Sequence, residues 1–253
     1  MKKIVIFIKN EVYDYKLLLR SVPSIVIALY VLSVVCMNLL ANKEIQTNTE
    51  YLALDCGIIV SWLAFLTMDM LTKRFGPKAS IKVSLFALAI NLLMSVIFYA
   101  ISKIPGNWGE FYTFENDNIN LALNSTIGGN WFVVMGSSIA FIASAIVNSL
   151  INYGIGKLVK RDNWFVFFLR SHVSTIISQF IDNLLFATIV SMHLFGWNIT
   201  QCLMCSLTGA AVELLCEVVF TWFGYKVVRK WEKDGVGNDY LNYVGIKLNK
   251  GEV

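Results

Sequence analysis

The chain has 253 residues, of which 57% are hydrophobic and only 15% charged, with a mean hydropathy of +0.62. That balance excludes a soluble domain, whose surface has to face water. The net charge of +4 does not point to nucleic acid either, because the basic residues fall in short stretches between long apolar runs, where membrane topology accounts for them. The reading is an all-α integral membrane protein, a single domain over residues 1–253.

Residues 1–21 are amphipathic and basic, with Lys9, Lys16 and Arg20. Five apolar residues between Lys3 and Lys9 are too few for the core of a cleaved signal peptide, and none is expected. Pro23 opens the first apolar span, about 22–41, in a position where proline suits a first helical turn. The second span runs over about 52–71, with Asp55 near its start and Asp69 near its end. Lys73, Arg74, Gly76, Pro77 and Lys78 then form a tight basic loop. The third span, about 80–102, carries Ser84, Asn91, Ser95 and Ser102 at helical spacing, so one face is polar. Residues 103–128 read as the longest loop, with Pro105, Gly106, Trp108 and three acidic groups.

The fourth span, about 130–156, places Ser137, Ser144, Asn148 and Asn152 on one face. A basic loop with Lys157, Lys160 and Arg161 leads to the fifth, about 172–195, and Gly196-Trp197-Asn198 makes a short turn into the sixth, about 200–228. The tail from Arg229 onward is polar. Nineteen of the twenty-one Lys and Arg residues fall before the first span, in residues 72–82, in residues 157–170, or from Lys226 onward, leaving only Lys43 and Lys103 for the opposite side. This asymmetry predicts six transmembrane helices in a bundle with both termini cytoplasmic.

The fifth span organises the rest. It is long enough to cross a bilayer, yet Gln179, Asp182 and Asn183 lie near its middle. An ionisable group at that depth costs roughly 2.5–3.5 kcal/mol on insertion scales unless it faces a bundle interior or a wet cavity. Ser171, Thr175, Ser178 and Asp182 share one helical face, with Gln179 beside it. Asp55, Asp69, Asp182, Glu213 and Glu217 all lie in or near spans, while no Lys or Arg lies well within one. Such carboxylates must be protonated, bind a cation or meet a ligand rich in N–H donors. Asp55 and Asp69 lie near membrane faces, where a structural role competes with a functional one. Glu213 and Glu217, one turn apart, call for a shared proton or a cation.

His172 and His193 sit at opposite ends of one helix and cannot hold a metal together. The five cysteines (36, 56, 202, 205 and 216) lie in or beside apolar spans, and their odd number argues against a disulfide framework. Cys202 and Cys205, with no second pair, read as small packing residues. No hydrolytic motif is present, so neither catalytic residues nor a metal or cofactor is expected.

Two stretches resemble the queuosine precursor transporters, also called the VUT or putative vitamin uptake transporter family. Thr67-Met68-Asp69-Met70-Leu71-Thr72-Lys73-Arg74-Phe75-Gly76 is similar to the end of that family's second helix, although Met68 splits the family's Thr-Asp pair. Ser174, Ser178, Gln179, Asp182 and Phe186 match the pattern of its fifth helix position by position. With six similar spans, the likeness covers about residues 15–230. Asn148 and Asn152 stand where members carry Gln and Asp, and Glu213 stands where many have Lys.

The resemblance implies uptake of a 7-deazaguanine such as preQ0, preQ1 or queuine, salvaged for tRNA modification across a bacterial cytoplasmic membrane. A guanine-like edge offers adjacent N–H donors that a carboxylate can accept in parallel, while amides serve its carbonyl. The expected substrate site is Asp182, Gln179, Glu213, Asn148, Asn91, Ser178, Phe186, Asn183 and Asn152, with Asp69 and Glu217 in coupling or gating. Phe186, Phe180 or Trp62 would stack on the heterocycle. The expected partners are this small molecule and the bilayer, not nucleic acid. The oligomeric state stays open, a homo-oligomer included. The alternatives are a substrate-capture subunit of an energy-coupling-factor vitamin importer, which is also small and six-helical, and a membrane scaffold that transports nothing.

Overall fold

The computed structural model describes residues 2–45, 47–49, 51–52, 54–109, 117–158 and 164–249. In order, the elements are α1 (Lys2–Ser21), α2 (Ser24–Leu40), β1 (Glu44–Ile45), β2 (Leu54–Asp55), α3 (Ile58–Phe75), α4 (Pro77–Ser102), α5 (Asp117–Leu158) and α6 (Trp164–Phe186). A π-helical turn (Ala187–Ser191), α7 (Met192–Phe195), α8 (Ile199–Lys233) and α9 (Asn238–Asn249) follow.

Among the described residues, four stretches are long and apolar enough to cross a membrane: Pro77–Ser102, Asn118–Ser144, Thr175–Phe195 and Ile199–Phe220. Lys9–Ser21 with Ser24–Leu40 makes a fifth if the pair, bent by 103°, counts as one span. Helix α3 falls outside this set because its 18 residues include Asp69, Lys73 and Arg74.

Helix α4 explains why such a chain belongs in lipid. Its Ser80, Ser84, Asn91 and Ser95 are buried, while Ile81, Leu85, Leu93 and Val96 are exposed. A polar inner face and an apolar outer one invert the pattern of a soluble protein.

Several boundaries differ from those the apolar runs predict. The helix of the second expected span, α3, starts at Ile58, because Leu54 and Asp55 pair with Glu44 and Ile45 in a two-residue antiparallel ladder. Helix α5 starts at Asp117, so part of the expected loop is helical. Its first turns are held from outside: the Trp108 backbone N–H donates to Asn120 Oδ1 at 2.6 Å, and Trp108 Nε1 to Asn124 Oδ1 at 2.9 Å. The fifth span begins earlier, at Trp164, and is interrupted by the π turn. There Thr188 Oγ1 donates to the Leu184 carbonyl at 2.8 Å, taking up an acceptor in the turn where the regular α ladder is broken.

The chain divides into two compact units, a terminal one of Met1–Val34, Trp62–Ile90 and Glu217–Val253 and a central one of Val35–Ser61 and Asn91–Cys216. In the terminal unit α9 packs on α1, so residues 238–249 of the polar tail form a folded element. Lys82 of α4 bonds Glu11 at 2.9 Å and also Asp14, and the Tyr15 hydroxyl donates to the Lys82 carbonyl at 3.0 Å. Arg74 donates to the Val236 carbonyl from Nε (2.8 Å) and Nη2 (2.6 Å), and from Nη2 to Asn238 Oδ1 at 2.8 Å. Gly237 permits this turn: its φ is +80°, and a side chain there would strike the Phe75 ring.

Among the described residues the central unit has two apolar clusters. Ala187, Trp197, Cys202 and Cys205 form one, which gives the C-x-x-C residues their packing role, and all five cysteines are free. Ala41, Val133 and Val190 form the other, with Phe186 packed against it. Gly136 of α5 has no side chain where Val190 of the π turn presses in. Helix α8 starts with a reciprocal cap, the Asn198 N–H donating to Gln201 Oε1 and the Gln201 N–H to Asn198 Oδ1, both at 2.9 Å.

Candidate functional site

A hydroxyl inside an apolar helix can satisfy itself by donating to a carbonyl one turn back. Thr67, Ser95, Ser138 and Ser206 do so, to Leu63, Asn91, Val134 and Cys202. Ser178 likewise donates to the Thr175 carbonyl at 2.9 Å. Carboxylates and side-chain amides cannot be satisfied so cheaply, and in the central unit they reach between helices.

Glu213 is the centre. It projects from α8 and is only 5% exposed. Ser61 Oγ from α3 lies 3.2 Å from its Oε1, and Asn183 Nδ2 from α6 lies 3.3 Å from its Oε2. Each carboxylate oxygen is therefore met by a neutral donor from a different helix. Asp182, beside Asn183, lies 3.0 Å from Ser144 Oγ of α5 through Oδ1. Asp182 and Asp55 both act electrostatically on Glu213. Among the described residues the ion pairs are those of Lys82 and of Arg229, both in the terminal unit, so neither cation belongs to this acidic group.

Asn183 fits where it does because of Gly209. A Cβ on that residue, one turn before Glu213, would come within 2.8 Å of Asn183 Nδ2. Two further amides are buried with unused capacity. Both polar atoms of Asn91 and the Oε1 of Gln179 lack a hydrogen-bond partner, although the residues are 1% and 4% exposed. Unsatisfied buried amides are rare in native structures, and a polar guest or water between the helices would account for them.

Of the expected site residues, Asp182, Asn183 and Glu213 are thus brought together, while Asn91, Gln179 and Ser178 are buried in the same unit. Phe186 lies against the apolar cluster of Ala41, Val133 and Val190. The side chains of Asn148, Asn152, Asp69 and Glu217 lie outside the described residues. Trp62, in the terminal unit, is stacked on Phe220 at 4.3 Å between centroids. Asp55 accepts the Gly57 N–H at 2.8 Å in the turn before α3, as a structural role requires.

Sequence reasoning missed Ser61 and Gly209. The available signals were a polar residue in the first turn of Ile58-Ile59-Val60-Ser61-Trp62 and a glycine one turn before a buried acid.

No curated protein and no solved structure matches the chain. The family model described as putative vitamin uptake transporter matches residues 55–227. That stretch holds every residue of the acidic group and leaves out α1 and α9. The match spans more than half of the chain and agrees with helices that bury polar faces and expose apolar ones: the chain belongs to the putative vitamin uptake transporter family, as a multi-pass membrane protein.

Proposed function

We propose that the protein imports a queuosine precursor, a 7-deazaguanine such as preQ0, preQ1 or queuine, for salvage into tRNA modification, with uptake coupled to a cation. The observation that carries this reading is Glu213, buried and held by Ser61 and Asn183, with Asp182 near and no described cation as partner. A guanine-like edge presents two parallel N–H donors to such a carboxylate, and its carbonyl needs a donor of the kind the unused Asn91 amide supplies. Charge supports the coupling. Two acidic groups in one buried site are neutralised best by a donor-rich or cationic guest together with a proton or other cation, so anionic ligands are disfavoured.

The topology belonging to this proposal is six spans, termini in the cytoplasm of a bacterial cell. Asn148, Asn152, Ser178 and Phe186 complete the substrate site, and Asp69 and Glu217 serve coupling or gating.

The test is binding and uptake of a panel of 7-deazaguanines by the intact protein and by Glu213→Gln, which keeps shape and removes charge. Losing a charge-assisted buried contact costs about 1.5–3 kcal/mol, or roughly one to two decades of affinity. A Glu213→Gln protein that binds as well as the unmodified one overturns the assignment of Glu213. Failure of every 7-deazaguanine to bind overturns the substrate class. Obligatory copurification with an ATPase would move the protein to the energy-coupling-factor importers.

A further inference from the structure

Helix α1 lies outside the family match, and the acidic site makes no use of it. Its rotation is nevertheless fixed. Glu11 and Asp14 are bound to Lys82, the Tyr15 hydroxyl to the Lys82 carbonyl, and Leu18 is fully buried. These contacts hold both acids on the Lys82 side of the helix, Asp14 buried and the Glu11 side chain 40% exposed. What faces out is a stripe at offsets of four, three and four: Lys9, Tyr13, Lys16 and Arg20, all exposed. Tyr13 is 56% and neighbouring Val12 49% exposed, and the edge of the Tyr13 ring against Tyr243 of α9 keeps the helix from rolling. No acidic residue shares the exposed face.

The direction of α1 is equally telling. It meets α2 at 103° across a break at Pro23, and α2 is 17 residues without a charge. If α2 enters the bilayer, α1 must run along its surface. A helix lying there with cations and an amphipathic aromatic on its outer stripe is complementary to negatively charged headgroups, and each added Lys or Arg near an anionic surface strengthens the attraction.

We infer that the Lys9, Tyr13, Lys16 and Arg20 stripe of α1 is a docking surface for anionic phospholipid headgroups, which holds the N-terminal helix flat on the membrane.

The experiment uses the full-length protein, with its cysteines replaced, carrying an environment-sensitive fluorophore on Asn10→Cys, in nanodiscs of phosphatidylcholine with or without phosphatidylglycerol. Phosphatidylglycerol should shift the emission to the blue, and salt should weaken the shift. The triple variant K9Q/K16Q/R20Q, which leaves the inward contacts untouched, should lose the shift, and K9R/K16R should retain it. Native mass spectrometry of the same proteins should show phosphatidylglycerol retained over phosphatidylcholine by roughly tenfold or more, from several cations each worth about fivefold, and that preference should vanish in the triple variant. Equal emission in both lipids, or a triple variant that behaves like the parent, would overturn the inference. So would a shift that salt leaves unchanged.

Discussion

The polar side chains of the central unit fall into two physical kinds. Ser95, Ser138 and Ser206 close their hydrogen bonds within their own helices, so they cost little in lipid and carry little information. Asn183 reaches a carboxylate on another helix, and Ser61 and Ser144 lie within hydrogen-bond distance both of such a carboxylate and of a carbonyl in their own helix, Ile58 and Phe141. Substituting Gly209 tests that distinction. The methyl of Gly209→Ala would displace the Asn183 amide from Glu213 and should weaken ligand binding about five- to tenfold, the worth of one net hydrogen bond of about 1 kcal/mol. Adding Asn183→Ala removes the group the methyl strikes, so the double variant should bind no worse than Asn183→Ala alone. A double variant that binds more weakly would mean that Gly209 acts through packing. Asn91 gives the complementary test. Its amide is buried without a partner, a state that costs roughly 1–3 kcal/mol. Asn91→Leu should therefore leave thermal stability equal or raised while uptake falls, and a loss of stability in parallel with uptake would assign Asn91 to the fold. Asp182, Gln179 and Glu213 were legible in the sequence because their chemistry is foreign to an apolar run. Ser61 and Gly209 were not, since serine is at home in such helices and what a glycine admits depends on the residue opposite.

At the scale of elements, apolar runs located helices well and their ends poorly. Where chemistry marked an end, as in Gly196-Trp197-Asn198 before α8, the reading of a short turn agrees with the fold. Where a residue outside the helix holds its end, as Trp108 does for α5 through Asn120 and Asn124, sequence offered no clue. The tail is the clearest such case, because α9 is held by Arg74, 162 residues before Val236. Arg74→Met removes the hydrogen bonds to Val236 and Asn238. The 234–249 segment should then exchange amide hydrogens faster and be cut sooner by protease, while ligand binding in the central unit persists. Unchanged exchange in α9 would show that its contact with α1 suffices. Alkali should act differently. Burial, and after it Asp14, push the Tyr240 phenol up to about 12. Its contribution is therefore complete below its ordinary value near 10 and is lost only as pH rises through about 12. Docking of α9, followed by the same exchange measurement, should be insensitive to pH across the neutral range.

For the whole molecule, the terminal unit bears on which ends share a side of the membrane independently of charge counting. Lys82 ties α1 to α4, Arg74 ties the end of α3 to the tail, and α9 packs on α1. Three of the four basic segments thus meet in one unit, as they must if N-terminus, α3–α4 turn and C-terminus lie on the same side. Helix α4, 26 residues long and so about 39 Å, exceeds the roughly 30 Å hydrocarbon core and should carry its far end across. In a cysteine-free protein, single cysteines at Lys78 and Asn242 should react with an impermeant thiol reagent only from the cytoplasmic side, and one at Ile104, 64% exposed, only from outside. Reaction of Lys78→Cys and Asn242→Cys from opposite sides would break the six-span topology by making the number of crossings between them odd. Reaction of Ile104→Cys from the cytoplasm would remove α4 as a crossing helix, and with it the reason for its buried serines and Asn91.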